Sequence, residues 1–104
     1  MAKINMKCVS KNEIIRLLQQ HKLHLARHFG VKELALFGSA ARDALNAISD
    51  VDILVAFEGL ATSKRYFGVQ FYLEDLLGRS VDLVTQKALR PELRPYVERE
   101  AIHV

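Results

Sequence analysis

Three aspartates in the middle of the chain carry the side chains that phosphoryl chemistry needs. Asp50 and Asp52 lie two residues apart at the mouth of an apolar segment, and Asp82 lies inside a second such segment. Because side chains alternate across a strand, Asp50 and Asp52 are expected on the same face. Like charges on one face repel unless a cation lies between them, and Mg²⁺ is the ion that paired carboxylates hold. If the two segments are neighbouring strands, the three carboxylates converge on one patch.

A glycine–serine pair lies ahead of these aspartates, between a predicted strand and the start of a predicted helix. Gly38 lets the backbone approach a ligand closely, and the first amide groups of the following helix attract anions. The Ser39 hydroxyl can donate a further hydrogen bond, and Arg42, one turn further on, can reach phosphate oxygens. A phosphate cradle followed by converging carboxylates predicts metal-assisted phosphoryl or nucleotidyl transfer.

Each of these features also has an ordinary structural explanation. Aspartates near strand ends are often solvated turn residues or helix caps, and a Gly-Ser pair is most often only a turn. Asp82 could face water on an edge strand. The functional interpretation depends on all of the features occurring together, in this order and in these local contexts.

The elements that must position these residues follow from the hydrophobic periodicity. Apolar spacing predicts a first helix that begins near Glu13, with Ser10 or Asn12 as its cap, and ends at Gly30. The remaining predicted elements are strands over 33–37, 51–57 and 81–85, helices over 40–45 and 62–77, a loop over 46–49, a last helix with Pro91 in its first turn and Pro95 near its start, and an extended piece over 102–104. This order favours an α/β (α+β) fold, a single domain over 1–104 with a small mixed sheet flanked by helices.

Two groups of residues outside the aspartates invite a functional reading. His21, His24 and His28 share one side of the first helix, which could suggest a metal or nucleic-acid surface but is more typical of partly buried face residues. The second long helix is expected to bury its aromatic residues and Leu76. Since one stripe cannot bury all the aromatics, an exposed remnant could form a partner interface. These aromatics are Tyr66, Phe67, Phe71 and Tyr72.

Composition and charge exclude several classes of protein. No apolar run approaches the ~20 residues of a membrane span, and residues 1–10 lack a signal core. Cys8, the single cysteine, has no disulfide partner and is read as inert, so a cytoplasmic location is expected. The net charge of +3 hides an asymmetry, because residues 1–32 carry seven Lys/Arg and one acid whereas residues 33–104 carry eight and eleven. The basic helix is expected to be a solvated face, or else a surface attracted to an acidic partner or to ATP, and direct nucleic-acid binding is not expected.

The segments Gly38-Ser39-x-Ala41-Arg42 and Ser49-Asp50-x-Asp52, with the apolar-flanked Asp82, resemble the nucleotidyltransferase superfamily related to DNA polymerase beta. The shortness of the chain resembles the minimal branch of that superfamily, the MNT proteins. The resemblance covers roughly residues 33–85 and implies a polymerase beta-like core.

The resemblance also implies a role for each matching residue. Asp50, Asp52 and Asp82 would hold two Mg²⁺ ions, with Asp82 as the candidate base. Gly38 and Ser39 would hold the triphosphate of ATP, with Arg42 nearby. One departure is that members of the family often have glycine after the motif arginine, where this chain has Asp43. The departure questions the geometry of that turn rather than the metal site.

Minimal members of this family resemble the antitoxins of type VII-like HEPN/MNT toxin–antitoxin pairs. The resemblance implies a hetero-oligomer in which AMP passes from ATP to a tyrosine hydroxyl of a HEPN ribonuclease toxin, with release of pyrophosphate. A partner that holds the acceptor would explain why a chain of 104 residues has no room for a substrate domain. The alternatives are a non-catalytic antitoxin that neutralises by stoichiometric binding, and a nucleotidyltransferase that acts on a small molecule or an RNA end.

Overall fold

The computed structural model describes residues 10–44 and 50–104 of the chain. Helices and strands alternate along these residues. They are α1 (Lys11–Phe29), β1 (Val31–Phe37), α2 (Gly38–Ala41), β2 (Val51–Phe57), α3 (Ser63–Leu77), β3 (Val81–Thr85), α4 (Arg94–Glu100) and β4 (Ile102–His103). The predicted order of elements is confirmed.

The strands form a four-stranded mixed sheet in the order β3-β2-β1-β4. β1 pairs antiparallel with β2 and with β4, whereas β2 and β3 run parallel. Parallel neighbours need a crossover, and α3 provides it. The predicted fold class, a small mixed sheet flanked by helices, is therefore confirmed.

The long helices begin and end at residues whose local chemistry fits those positions. Ser10 caps α1, because its hydroxyl accepts a hydrogen bond from the Glu13 amide at 3.1 Å, and the helix ends at Gly30. Asn12, the alternative cap, lies inside the helix. Thr62 caps α3 in the same way by accepting from the Arg65 amide at 3.2 Å.

The main core lies between one face of the sheet and the two long helices. α1 and α3 each bury a row of aliphatic side chains against alternate residues of the strands. The buried helix residues are Ile14, Leu18 and Leu25 from α1 and Val69, Leu73 and Leu77 from α3. The helices approach closely where Phe29 meets Gly68, since a Cβ on Gly68 would lie 2.5 Å from the Phe29 ring.

The other face of the sheet has a smaller apolar cluster. Ala35, Leu54 and Leu89 form its buried part, and Val97 of α4 packs against them. α4 therefore covers only part of this face, and the rest of the face, called the open face below, carries the aspartates.

Three predicted element boundaries are wrong. The short helix spans Gly38–Ala41 rather than 40–45, because the chain turns at Arg42 and Asp43. β1 begins at Val31, two residues before the predicted start. The last helix begins at Arg94 with Pro95 in its first turn, and Pro91 lies in the preceding turn. A helix that began at Pro91 would need a hydrogen bond from the nitrogen of Pro95, which has no N–H.

The expected burial of the α3 aromatics is wrong in part. The side chains of Phe67 and Phe71 are 49% and 64% exposed and stack on each other, while Tyr66, Tyr72 and Leu76 pack only partly against the core. Phe67 and Phe71 each lie two residues from Val69, about 200° around a helix, so the face that meets the sheet turns them outward.

Some sequence expectations fall outside the described residues. Cys8, the loop over 46–49 with Ser49 of the motif, and the predicted end of the short helix at Leu45 are among them. Within the described ranges, no helix combines the length and the apolar character that crossing a membrane requires.

Candidate functional site

The pairing of β2 with β3 brings two of the predicted aspartates together. Asp52 lies directly opposite Asp82 in the parallel register, and on its other side Asp52 is paired with Phe37, the last residue of β1. Val51, Ile53 and Leu83 point into the helix-covered core, so the alternation of the strands places Asp52 and Asp82 on the open face.

The proximity of these carboxylates changes their acidity. Partial burial, the charge of Asp82, a hydrogen bond with the Asp82 side chain and the charge of Asp50 together raise the pKa of Asp52 to about 6, against a smaller opposing effect of Arg42. A hydrogen bond between two carboxyl groups requires a proton on one of them. The site therefore has an excess of negative charge, which either a proton or a cation could relieve.

Gly38 forms the wall of the site next to Asp52. A Cβ on this residue would lie 2.2 Å from Oδ2 of Asp52, and the φ of 69° is one that other residues rarely adopt. Ser39 follows, half-buried, and its carbonyl accepts a hydrogen bond from the Ala44 amide at 2.8 Å. The predicted close backbone approach at Gly38 is thus found beside the carboxylates.

Arg42 lies at the rim of the site and forms an ion pair. Its Nη1 donates to Oε1 of Glu100, near the end of α4, at 3.0 Å, and both side chains are exposed. The guanidinium is nevertheless close enough to lower the pKa of Asp52. Arg42 would have to leave Glu100 at least in part in order to reach a phosphate.

The turn that Asp43 occupies has the geometry of a glycine turn. Its φ is 56°, the left-handed conformation that glycine favours and that aspartate tolerates better than most residues. The Asp43 Oδ1 accepts a hydrogen bond from the Lys11 amide at 2.9 Å, in the first turn of α1. The aspartate therefore keeps the backbone path that glycine would take, and its carboxylate satisfies an unpaired amide at the start of a helix.

Asp50 stands slightly apart from the other two carboxylates. It is exposed, immediately before β2, and its charge contributes least among the acids that raise the pKa of Asp52. Over residues 10–44 and 50–104, no group of three or more His, Cys, Asp or Glu side chains is arranged to hold a metal ion. Asp52 and Asp82 are the pair from which a cation site could be completed, with Asp50 as a third carboxylate nearby.

The three histidines of α1 make ring contacts with one another or with Tyr72 of α3. His24 stacks on His28 and on Tyr72, and Nδ1 of His21 lies 2.6 Å from the Tyr72 hydroxyl. Desolvation and the charges of His28 and His21 lower the pKa of His24. His21 is half-buried and His24 and His28 are exposed, so the expectation of a partly buried face holds best for His21.

A cavity at the opposite end of β2 is separate from this site. Its volume is about 240 Å³, and its lining includes Val55, Phe57, Lys32 and Lys87. None of the aspartates, nor Gly38 or Ser39, contributes to it.

The sequence reasoning missed the side chains that hold β3 in place. Tyr66 was expected only to pack, yet its hydroxyl donates to the Leu83 carbonyl next to Asp82. Burial and the charge of Asp82 raise the pKa of Tyr66. A polar group at every fourth position of the α3 sequence was the signal that could have indicated this contact.

Comparison with known proteins agrees with this geometry. The sequence profile of the nucleotidyltransferase domain family matches residues 18–104. The protein adenylyltransferase MntA of Thermococcus cleftensis is 39% identical over 99 residues, which cover 95% of this chain and all of the relative.

Solved structures with the same fold include members of toxin–antitoxin complexes. A provisionally assigned minimal nucleotidyltransferase superimposes with a TM-score of 0.75 at 40% identity, covering 86% of this chain and 92% of that one. A toxin–antitoxin complex with AMP-PNP has a chain that matches with a TM-score of 0.64 at 24% identity, covering 89% and 70% of the two chains. The second likeness shows a shared fold.

The family profile spans most of the chain, and the MntA relative aligns along nearly all of it. The predicted family and the predicted class of enzyme are both confirmed. The strand–Gly–Ser turn and the aspartates on neighbouring strands agree with these matches. The chain belongs to the nucleotidyltransferase family and is similar to its minimal members.

Proposed function

We propose that this nucleotidyltransferase is the antitoxin of a HEPN/MNT pair and that it transfers AMP from ATP to a tyrosine hydroxyl of a HEPN ribonuclease toxin. The in-register pair of Asp52 and Asp82, beside the close backbone approach at Gly38, is the observation that carries the proposal. The relative named MntA is a protein adenylyltransferase. One structural neighbour is a complex of an MNT antitoxin with a tri-AMPylated HEPN toxin of Shewanella oneidensis.

Mg²⁺ is the cofactor that fits the acidic site. Asp52 and Asp82, with Asp50 at the rim, would hold it, because burial and the charges of the neighbouring acids raise the pKa of Asp52 and a divalent cation would relieve that repulsion. Bound Mg²⁺ supplies neutralisation of the charge that develops on the triphosphate and on the leaving pyrophosphate.

Nucleotide binding and proton transfer are assigned to different residues of the chain. Gly38 leaves room for the triphosphate against the backbone, and Ser39 and Arg42 donate hydrogen bonds to its oxygens. The acceptor oxygen forms a bond to the α-phosphorus, the bond from that phosphorus to the bridging oxygen breaks, and pyrophosphate leaves. Asp82 accepts the proton of the hydroxyl, which requires its carboxylate form.

The partner is proposed to supply the acceptor. In this proposal the chain holds the nucleotide and the acidic site, and the toxin presents its tyrosine from outside. The exposed side of Asp82 on the open face leaves a route by which an acceptor can reach it.

Label transfer to the partner tests the proposal directly. The purified chain is incubated with its HEPN partner, Mg²⁺ and ATP labelled at the α-phosphate, and toxin RNase activity is followed in parallel. Labelled toxin and loss of RNase activity are expected for the wild type. Both effects should disappear on addition of EDTA and in Asp52→Ala and Asp82→Ala, whereas Asp75→Ala removes an exposed carboxylate of α3 and should behave as wild type.

The two alternatives predict different results in the same assay. Stoichiometric neutralisation predicts unlabelled toxin and equal protection by wild type, Asp52→Ala and Asp82→Ala, with no effect of EDTA. A small-molecule or RNA acceptor predicts unlabelled toxin, and transfer of label only when that acceptor is added. Either pattern would contradict adenylylation of the toxin.

A further inference from the structure

β3, the strand that carries Asp82, lies at the edge of the sheet, and among the described residues β2 is its only strand neighbour. The Val51 amide donates to the Ser80 carbonyl and the Gln86 amide donates to the Val55 carbonyl, so the even-numbered residues of this segment bond toward β2. Backbone groups alternate along a strand, and those of Val81 and Leu83 therefore turn away from the sheet.

Three side chains of α3 hydrogen-bond to these outward backbone groups. The Tyr66 hydroxyl donates to the Leu83 carbonyl at 2.5 Å, Nε2 of Gln70 donates to the Val81 carbonyl at 3.2 Å, and Oε2 of Glu74 accepts from the Val81 amide at 3.0 Å. These side chains are four residues apart and so form one row along α3.

The bonded residues are the immediate neighbours of Asp82. Val81 precedes it and Leu83 follows it, and each is fixed from the side opposite β2. The carboxylates of Asp52 and Asp82 repel each other across the β2–β3 pairing. This repulsion tends to move β3, the edge strand, outward. The α3 row opposes that movement by attaching the strand to a helix that is itself packed on the core through Val69, Leu73 and Leu77.

We propose that Tyr66, Gln70 and Glu74 are positioning residues that hold the Asp82 carboxylate opposite Asp52, where the two would bind a divalent cation together. The inference rests on the proposed function, since it concerns the cation site of that reaction. It assigns to α3 a role in the chemistry on the far face of the sheet, although none of its side chains reaches that chemistry directly.

The test measures Mn²⁺ binding by electron paramagnetic resonance together with steady-state adenylyl transfer. Tyr66→Phe removes only the hydroxyl that bonds to the Leu83 carbonyl. Tyr72→Phe is the matched control, because the same change on the same helix removes a hydroxyl that contacts His21 of α1 rather than β3. For Tyr66→Phe, Mn²⁺ affinity and kcat should each fall about 10-fold while the KM for ATP changes little, as is typical when a partner of a ligand is lost. Tyr72→Phe should match the wild type in all three quantities.

A second pair of variants protects the test against a folding defect. Glu74→Gln keeps an oxygen that can accept from the Val81 amide and should retain Mn²⁺ affinity, whereas Glu74→Leu loses that acceptor and should weaken binding as Tyr66→Phe does. Rescue by the conservative variant would not be expected from a loss of charge or of packing alone.

The outcomes separate the inference from the proposed function. Equal Mn²⁺ affinity in Tyr66→Phe, Tyr72→Phe and the wild type would overturn the positioning role and leave the proposed function standing. Weaker Mn²⁺ binding in Tyr66→Phe and Glu74→Leu, with no label transfer to a toxin by the wild type, would support the positioning role and reject that acceptor. A wild type that binds no Mn²⁺ would overturn both.

Discussion

The two faces of the sheet are built from alternate residues of the same strands, yet they meet opposite physical demands. Val51, Ile53 and Val55 of β2 are fully buried under α1 and α3. Between them on the open face, Asp52 faces Asp82 and abuts Gly38, with a pKa raised to about 6.

Residues that stabilise the fold and residues that could take part in the reaction are therefore immediate neighbours in the sequence of a strand. The helix-covered face gains stability from buried aliphatic area, at roughly 25 cal/mol per Å². The open face keeps like charges close together, which costs stability and creates a negative field that would attract a divalent cation. Substitutions on the two faces should therefore affect different measurements.

The largest expected effect is on activity, in Asp52→Asn. The amide keeps the size of the side chain and removes the charge, so adenylyl transfer should fall on the order of 10³-fold. The free energy of unfolding at pH 7.5 should rise by about 1–2 kcal/mol, a modest gain because solvent screens the partly exposed carboxyl. Urea denaturation and transfer assays on the same sample would measure both effects.

The same variant has a defined pH dependence. The pKa of Asp52 in the folded protein, about 6, lies above its ordinary value of 3.8. Its contribution to stability is therefore fully present below pH 4 and is lost as the pH rises through 6. Asp52→Asn should flatten this decline in unfolding free energy, and Asp75→Asn should not. A steeper decline in Asp52→Asn than in the wild type would contradict a raised pKa.

The helix-covered face is tested by Leu36→Ala. Leu36 is fully buried in the main core, so the truncation should lower the free energy of unfolding by about 2–5 kcal/mol. The folded fraction should retain the kcat of the wild type, because Leu36 lies on the face opposite the aspartates. Leu23→Ala, at a position 61% exposed on α1, is the control and should change stability by no more than about 0.5 kcal/mol. A large loss of kcat in folded Leu36→Ala would show that the faces are not separable.

The boundary between the faces is tested by Gly38→Ala. The new Cβ would collide with Oδ2 of Asp52, so both stability and transfer should fall, each by the equivalent of about 1–3 kcal/mol. Gly59→Ala is the matched control, because its φ of 79° carries the same backbone strain while the atom nearest a Cβ, Nη1 of Arg65, is 3.9 Å away. It should lose stability without a comparable loss of transfer. Equal activity losses in the two variants would contradict a specific contact at Gly38.

The smallest expected effect concerns Asp43. Asp43→Gly relieves the strain of a positive φ and loses the hydrogen bond to the Lys11 amide, so the free energy of unfolding should change by less than about 0.5 kcal/mol. Asp43→Ala keeps the strain and loses the bond, and it should be destabilised by about 1–2 kcal/mol. Thermal denaturation of the two variants separates these contributions. A stability for Asp43→Ala equal to that of Asp43→Gly would show that the strain is unimportant.

Local signals predicted the elements that have clear beginnings and ends. Ser10 as a candidate cap and Gly30 as a stop indicated the bounds of α1, Gly78 indicated the end of α3, and the β-branched segments indicated β2 and β3. Thr62, predicted as the first residue of α3, is instead its cap. The placement of Asp52 opposite Asp82 followed once the two strands were assumed to be neighbours.

The remaining features depend on long-range contacts that no local pattern encodes. Phe67 and Phe71 are apolar, but the rotation of α3 is set by the fit of Val69 and Leu73 to the sheet. An extended piece over 102–104 was predicted, but its antiparallel pairing with β1 depends on a contact between distant residues. Asp43 can occupy this glycine-like turn because an amide at the start of a helix, 32 residues away in the sequence, donates a hydrogen bond to its carboxylate.

The parallel pairing of β2 with β3 also orders the events of folding. β1 and β2 are separated in the sequence by residues 38–50, whereas the pairing of Asp52 with Asp82 spans the longer crossover that contains α3. Contacts of long sequence separation generally form late, because the loop-closure entropy must be lost first. The repelling carboxylates therefore come together when most of the core is already available to hold them. A chain that has been synthesised only through β2 contains Gly38, Ser39 and Asp52 but lacks Asp82, the second member of the cation-binding pair.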